Sequence, residues 1–312
     1  MEVSTQAKER FCKDCYIPLK LFQEPYFTHR LKLYDRFFNT LEQWKLFAEE
    51  LSKYHCEQDY FEEYNHVKDT AIREIQNTEG YKRFNLEDMN RYCVTHPGLP
   101  GKDIFKPSND GKLFLSLDMK KANFSALRHY DPGIFCHAET WEAFIGRYTH
   151  NRHMIASKYI RQVILGNCNP KRHITYEKYL MDMVLTHLEH QGIPMEKVVF
   201  FSNDEIVIEV SSSWTDTSAL SPESLTEGTP VPIRAKLFTL HKIHGTEGYY
   251  KEIITQDKLP EIEFKCLDSY MLPFVLRKFL GEDITESDRI FYHEGLLATF
   301  MEVPEISFGD RF

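Results

Sequence analysis

The sequence predicts an α+β protein, an antiparallel sheet backed by helices and preceded by an N-terminal helical region. Three observations predict it. Residues 34–51 (YDRFFNTLEQWKLFAEEL) place Phe37, Phe38, Leu41, Trp44, Leu46, Phe47 and Leu51 at helical spacing. Residues 197–201 (KVVFF) and 206–210 (IVIEV) are β-rich runs joined by a tight polar turn that carries acids, the pattern of a hairpin. Between these patterns the run 96–101 (HPGLPG) stops any helix and makes a natural boundary.

The elements follow in order. Residues 1–100 read as the helical region, with further helices expected over 59–76 and 85–93. Residues 101–260 read as the core. Its first strand is 112–117 (KLFLSL), short, apolar and ending in Asp118. Helices are expected over 141–165 and 175–191, separated by the break GNCNP at 166–170. The hairpin comes next, then a Ser-, Thr- and Pro-rich loop over 211–232 with one short helix near 222–225. Residues 233–243 and 249–254 look like another pair of strands. The last segment, 261–312, is expected to be a small α+β part, with a helix over 267–280 kinked at Pro273. There is no internal repeat.

Composition bounds the function. A chain of 312 residues with 42% hydrophobic and 27% charged content can bury a large core. A net charge of -9 argues against nucleic-acid binding by bulk charge, although a local basic groove is compatible with it. The seven scattered cysteines are no secreted disulfide framework, the N-terminus lacks a signal-peptide pattern, and no apolar run reaches the length of a membrane span. The expectation is a soluble, intracellular protein, cytoplasmic or nuclear, with no membrane partner. Cys12 and Cys15 have the spacing of half a zinc site, but no second such pair exists. P-loop, dinucleotide-binding and nucleophile-elbow motifs are absent.

The chemistry concentrates at acids on strand ends. A strand ending in Asp118, helices, and then a hairpin with Asp204 and Glu205 at its tip bring the three carboxylates to one end of a sheet. Hard oxygen ligands converging there suit a pair of Mg2+ or Mn2+ ions. Two such ions clamp the attacking and leaving oxygens of a phosphoryl transfer. The plain alternative is that acids gather at strand ends because turns are polar.

The local sequences sharpen this. Residues 199–210 (VFFSNDEIVIEV) resemble the third motif of family A DNA polymerases, with Asn203 where that family has His. Residues 115–127 (LSLDMKKANFSAL) resemble the first motif of families A and B. Asn123 there occupies the position beneath the incoming sugar, where family A has Glu and family B has Tyr. Residues 157–169 (SKYIRQVILGNCN) resemble the second motif, with Lys158, Gln162 and Gly166 at four-residue steps along one helix face. The motif order is that of both families, over residues 112–210. The hairpin is also similar to the acidic turn of tRNA-His guanylyltransferases and diguanylate cyclases, but Asp118 lacks the Gly-Arg-Asn-like continuation of the former. The resemblance implies a ferredoxin-like palm and a small, divergent nucleotidyltransferase extending a 3′-hydroxyl with nucleoside triphosphates on a DNA or RNA primer and template. It implies Asp118, Asp204 and Glu205 as metal ligands, with the carbonyl of Met119. Lys158 and Arg161 are expected on the triphosphate. The short intervals leave little room for fingers, so a protein partner completing the polymerase is a further expectation.

Around these motifs lies the clearest basic segment, residues 147–173, which contains no Asp or Glu. Its Arg152, Lys171 and Arg172, with Gln162 and Asn123, complete the candidate substrate-binding set. A solvated helix face is the other reading of the same charges. Two rival functions stay open: an inactive palm kept as a nucleic-acid-binding or assembly scaffold, and a cyclase or small-nucleotide synthase using the same metal site.

Overall fold

Strand β1 (Leu113–Met119) lies inside a six-stranded antiparallel sheet, flanked by β3 (Glu205–Glu209) and β4 (Ile233–Lys242). The structure, a computed structural model, describes residues 3–210, 224–255 and 259–309. Strand β2 (Val198–Phe201) forms the expected hairpin with β3, and β5 (Tyr249–Ile253) and β6 (Glu261–Lys265) extend the other side in the order β2-β3-β1-β4-β5-β6. The α+β reading, a palm-like sheet backed by helices with a helical N-terminal region, therefore holds. Strand β5 falls within the expected 249–254, whereas β6 has no counterpart in the sequence expectation. Strand β6 (EIEFK) has too few apolar residues to stand out, being an edge.

Strand alternation divides the sheet into two faces. Leu115, Leu117 and Met119 of β1, with Ile206 and Ile208 of β3, enter one large apolar core. Helices α6 (Ala122–Tyr130) and α10 (Pro170–His190) cover that face through Phe124, Leu127, Leu180, Val184 and Leu188. The other face carries Phe114, Ser116 and Asp118, with Glu205 and Val207 opposite them on β3 and Arg234, Lys236 and Phe238 opposite them on β4. Ile104, from the loop ahead of β1, buries part of it over Phe114, Phe238 and Leu240.

The N-terminal region is built from α1 (Thr5–Cys15), α2 (Tyr26–Phe38), α3 (Thr40–Leu51), α4 (Glu57–Asn77) and α5 (Glu79–Leu86). The single helix expected over 34–51 is two helices, because Asn39 takes the left-handed conformation at φ 49° and turns the chain. Residues 85–93 are not one helix either. Helix α5 ends at Leu86, and a single 3-10 turn, Met89–Arg91, follows.

The helix expected over 141–165 is three: α7 (Trp141–Ile145), α8 (Arg152–Ala156) and α9 (Lys158–Gly166). Each restarts at a side-chain cap: Thr140 accepts from Ala143 N, Asn151 from Met154 N and Ser157 from Ile160 N, at 3.0, 3.0 and 3.1 Å. Pro170 is not a spacer before the next helix but its first turn, where a missing N–H costs nothing. Pro273 likewise starts α11 (Leu272–Leu280) and kinks nothing. The short helix expected near 222–225 lies partly outside the described residues; Ser224–Thr226 form a 3-10 turn. Helix α12 (Glu286–Arg289) and the hairpin of β7 (Ile290–His293) and β8 (Leu296–Thr299) close the chain.

Candidate active site

Asp118 pairs directly with Glu205 across β1 and β3 and with Arg234 across β1 and β4. The amide of Met119 donates to the carbonyl of Asp204 at 2.8 Å, which makes Met119–Asp204 the hydrogen-bonded pair and Asp118–Glu205 the closer, non-hydrogen-bonded one. Two carboxylates thus stand side by side on the open face, an arrangement that repels unless cations compensate it. The register corrects one emphasis of the sequence: Glu205, not Asp204, is the residue that shares a face with Asp118. Asp204 sits in the hairpin turn, where its carboxylate accepts from the Ser202 hydroxyl at 3.0 Å.

Cations surround the pair. The Arg234 guanidinium donates to Asp118 at 2.6 Å. Glu205 accepts from the Ser116 hydroxyl at 2.6 Å and lies 3.7 Å from the Lys251 ammonium. Three strand spacings, about 14 Å, separate β5 from β3 in a flat sheet. Lys251 reaches Glu205 only because the sheet curls with this face inside. On its way the ammonium passes 4.4 Å from the centre of the Phe238 ring, and burial lowers its pKa against the opposing pull of Glu205. Glu263 and Lys236 form a further pair at 2.5 Å. Burial works against the charge on Glu263, yet Lys265 and Lys236 hold it down to about 2.

Helix α9 brings the cations expected from the sequence. Burial, then the neighbouring Arg161, lowers the Lys158 ammonium; Asp118 acts in the opposite sense, and Lys265 and Arg234 add to the repulsion. Lys158 is therefore near enough to Asp118 for the two charges to interact. Arg161 is half-buried, lowered by burial and supported by Glu142, whose carboxylate also takes Lys121 at 2.5 Å. Gln162 is exposed on α9, Asn123 is half-buried in the first turn of α6, and Lys171 is exposed at the start of α10.

Two basic residues are engaged elsewhere. Arg152 binds Glu50 at 2.5 Å and Glu49 at 3.3 Å, fastening α8 to α3. Arg172 donates to the Phe84 carbonyl at 2.8 and 3.0 Å and to the Glu87 carbonyl, closing the C-terminal end of α5. Asn203 also turns away from the open face. Its amide donates at 2.6 Å to Glu177, a buried α10 carboxyl that burial, and then Asp204, push up to about 7 against that hydrogen bond. The residue thus ties the hairpin tip to the helix beneath it. Cys12 is in the core and Cys15 is half-buried, and burial raises both thiols, Cys15 to about 12.

Arg234, Lys236, Lys251 and Ser116 escaped the sequence reading. Their signal was available only in part: in IRAKLFTLHK every second residue from Arg234 shares a face, but which strand it faces depends on register.

Among the described residues no three His, Cys, Asp or Glu side chains gather into a set able to hold a metal ion. A Mg2+ ion does not need one. It binds through one or two carboxylates and keeps water and phosphate oxygens as its other ligands. Two hard-oxygen donors facing each other on a partly exposed surface, Asp118 at 33% and Glu205 at 28% side-chain exposure, fit that mode. No helix among the described residues is long and apolar enough to cross a membrane. The seven cysteines are free. No family model, curated protein or solved structure matches the chain.

Proposed function

We propose that this chain is a metal-dependent nucleotidyltransferase, a small palm-type polymerase that joins a nucleoside triphosphate to a 3′-hydroxyl of DNA or RNA and releases pyrophosphate. One observation supports the reading: Asp118 and Glu205 are a direct cross-strand pair on one face of the sheet, and the α9 cation Lys158 is near enough to Asp118 to feel its charge. Asp118 and Glu205 would hold Mg2+ or Mn2+, with Asp204 and the Met119 carbonyl nearest to them in the chain. The bound ions supply charge stabilisation at the attacking and leaving oxygens.

The chain's own residues then have separable tasks. Lys158 and Arg161 meet the triphosphate, where fixed positive charge favours the charge developing on the leaving group. Asp118 would hold the metal, whose charge would compete with Arg234 for the carboxylate, and Arg234, 2.6 Å from Asp118, is the guanidinium placed to take a phosphate oxygen instead. Ser116 and Lys251 hold Glu205 in place. Asn203, through Glu177, fixes the hairpin tip against α10. Asn123, in the first turn of α6 just after β1, keeps a sugar-side role only by its place in the motif, and its part in sugar choice follows from neither polymerase family.

The test is incorporation of a labelled nucleotide on a primed template with Mg2+ or Mn2+. Asp118→Asn and Glu205→Gln should each lower it by about a hundredfold or more, the scale on which loss of one charge-stabilising group is felt. No incorporation by the wild type, or undiminished incorporation by both variants, removes the catalytic reading. A second reading, a non-catalytic nucleic-acid-binding palm, is favoured by the ion pairs that Asp118 and Glu205 already make, and the same assay separates it. Nucleoside triphosphates without primer, followed by mass spectrometry, expose a small-nucleotide synthase by its product.

A further inference from the structure

Beside Lys158, a cleft of about 800 Å³ opens between α1, the segment that follows it, and α9. Tyr16, Phe22, Tyr159 and Tyr292 line it, with Lys20 and with Lys13, which pairs with the single carboxylate Glu9 at 2.6 Å. Tyr16 reaches the cleft because it ends α1 in the left-handed conformation, φ 56°. Its ring is 42% exposed. The Lys158 ammonium lies 4.4 Å from the centre of that ring, and the Arg10 guanidinium 5.1 Å from the centre of Tyr159. Lys158 is therefore shared: it lies against the ring of Tyr16, which lines the cleft, and near enough to Asp118 to feel its charge.

We infer that this cleft binds single-stranded nucleic acid. Exposed aromatic rings beside cations are what unpaired bases and their phosphates require, because every base has a face to stack and every linkage has a charge. The volume exceeds what one base would fill and lies in the upper part of the range of ligand sites. With Lys13 paired to Glu9, Lys20 in the lining and Lys158 and Arg10 against its tyrosines give a local positive charge in a chain whose net charge is -9, so the complementarity to a polyanion belongs to this place and not to the surface as a whole. The inference deepens the nucleotidyltransferase reading by giving the strand a seat next to the carboxylates, and it can fail separately from that reading.

The experiment is fluorescence anisotropy of a labelled single-stranded oligonucleotide, in DNA and RNA arms, titrated with the full chain in low salt and EDTA. No metal or nucleotide is present, so chemistry at Asp118 is not involved. Tyr16→Ala and Tyr159→Ala should each weaken binding by about tenfold, and Tyr16→Phe and Tyr159→Phe should keep it, since the ring does the stacking. A Lys158→Gln variant should flatten the salt dependence, which the tyrosine variants leave unchanged. Circular dichroism establishes that the variants are folded. The inference is overturned if the wild type binds neither strand, if it binds duplex as tightly as single strand, or if folded alanine variants bind like the wild type. Nucleotide incorporation measured on the same proteins judges the catalytic reading independently.

Discussion

Asp118 has an acid on one neighbouring strand and a guanidinium on the other, so its carboxylate stands between like-charge repulsion and an ion pair. Arg234 is more than half exposed, which limits what the pair contributes to stability to about 1 kcal/mol or less. The consequence for binding is clearer. Arg234→Gln should tighten Mn2+ binding in the absence of nucleotide by up to about fivefold, the equivalent of that energy, and weaken nucleoside triphosphate binding. Calorimetric titration reads both; changes of the same sign would contradict the exchange of partners. Glu177 offers a second test at this scale. Its folded-state pKa is raised to about 7, and an unfolded glutamate titrates near 4.3, so between these values the folded chain keeps a proton that the unfolded chain has released. Stability contributed by this group is therefore greatest at low pH and is lost as pH rises through that window, by on the order of 3 kcal/mol. Glu177→Gln keeps an acceptor for Asn203 and should abolish this slope in urea unfolding measured from pH 4 to 8. An unchanged slope would place the titration elsewhere.

The elements that carry the site are aimed by buried polar braces more than by their own propensities. Asp14 of α1 accepts from Ser157 at 2.9 Å, from Tyr64 at 3.3 Å, and pairs with His153 at 3.1 Å. Ser157 also caps α9, so one carboxylate fixes the helix start that presents Lys158. Asp14→Ala would strand three buried polar groups and should cost about 3–5 kcal/mol, seen as a lower urea midpoint at unchanged slope. Asp14→Asn, which keeps an acceptor, should cost less. Nothing in the sequence around Asp14 announces this brace, because its partners lie more than a hundred residues away or on another helix. The hairpin was legible for the opposite reason: KVVFF, a polar turn and IVIEV settle locally, and β2 and β3 pair where the pattern puts them. The acids at its tip were legible too. Which of them faces Asp118 was not, because a one-residue change of register exchanges Asp204 for Glu205. The basic run 147–173 was read as one segment, yet helix restarts at Asn151 and Ser157 turn Arg152 toward α3 and set Lys158 against the ring of Tyr16.

Across the whole molecule the N-terminal helices and the sheet share one apolar core, which contains Ala7 and Phe47 as well as Leu117 and Leu276. The C-terminal segment is fastened to it by a buried cluster. Asp288 accepts from Arg30 of α2 at 2.7 Å, from Arg277 of α11 at 3.0 Å, and from the amide and hydroxyl of Thr285 at 2.8 Å each. Arg30 further donates to the carbonyls of Ser287 and Ile290 at 2.9 and 3.1 Å. Both ends of the chain therefore depend on the same buried charges. Shared core and shared charges make cooperative unfolding the expectation, although a chain of this length often separates into domains. Trp44 packs edge-on against Phe11 in the N-terminal region, and Trp141 is buried against Phe124 and Phe135 beside the sheet. In variants whose sole tryptophan is Trp44 or Trp141, with Trp214 also replaced, each fluorescence midpoint should coincide with that variant's own far-ultraviolet circular dichroism. Asp288→Ala leaves two arginines without their buried carboxylate and should lower both midpoints together, by about 3–5 kcal/mol in stability. If the Trp141 transition stays in place while that of Trp44 moves, the N-terminal helices unfold as a unit of their own. In that case the seat of Lys158, braced through Asp14 of α1, would loosen before the sheet does.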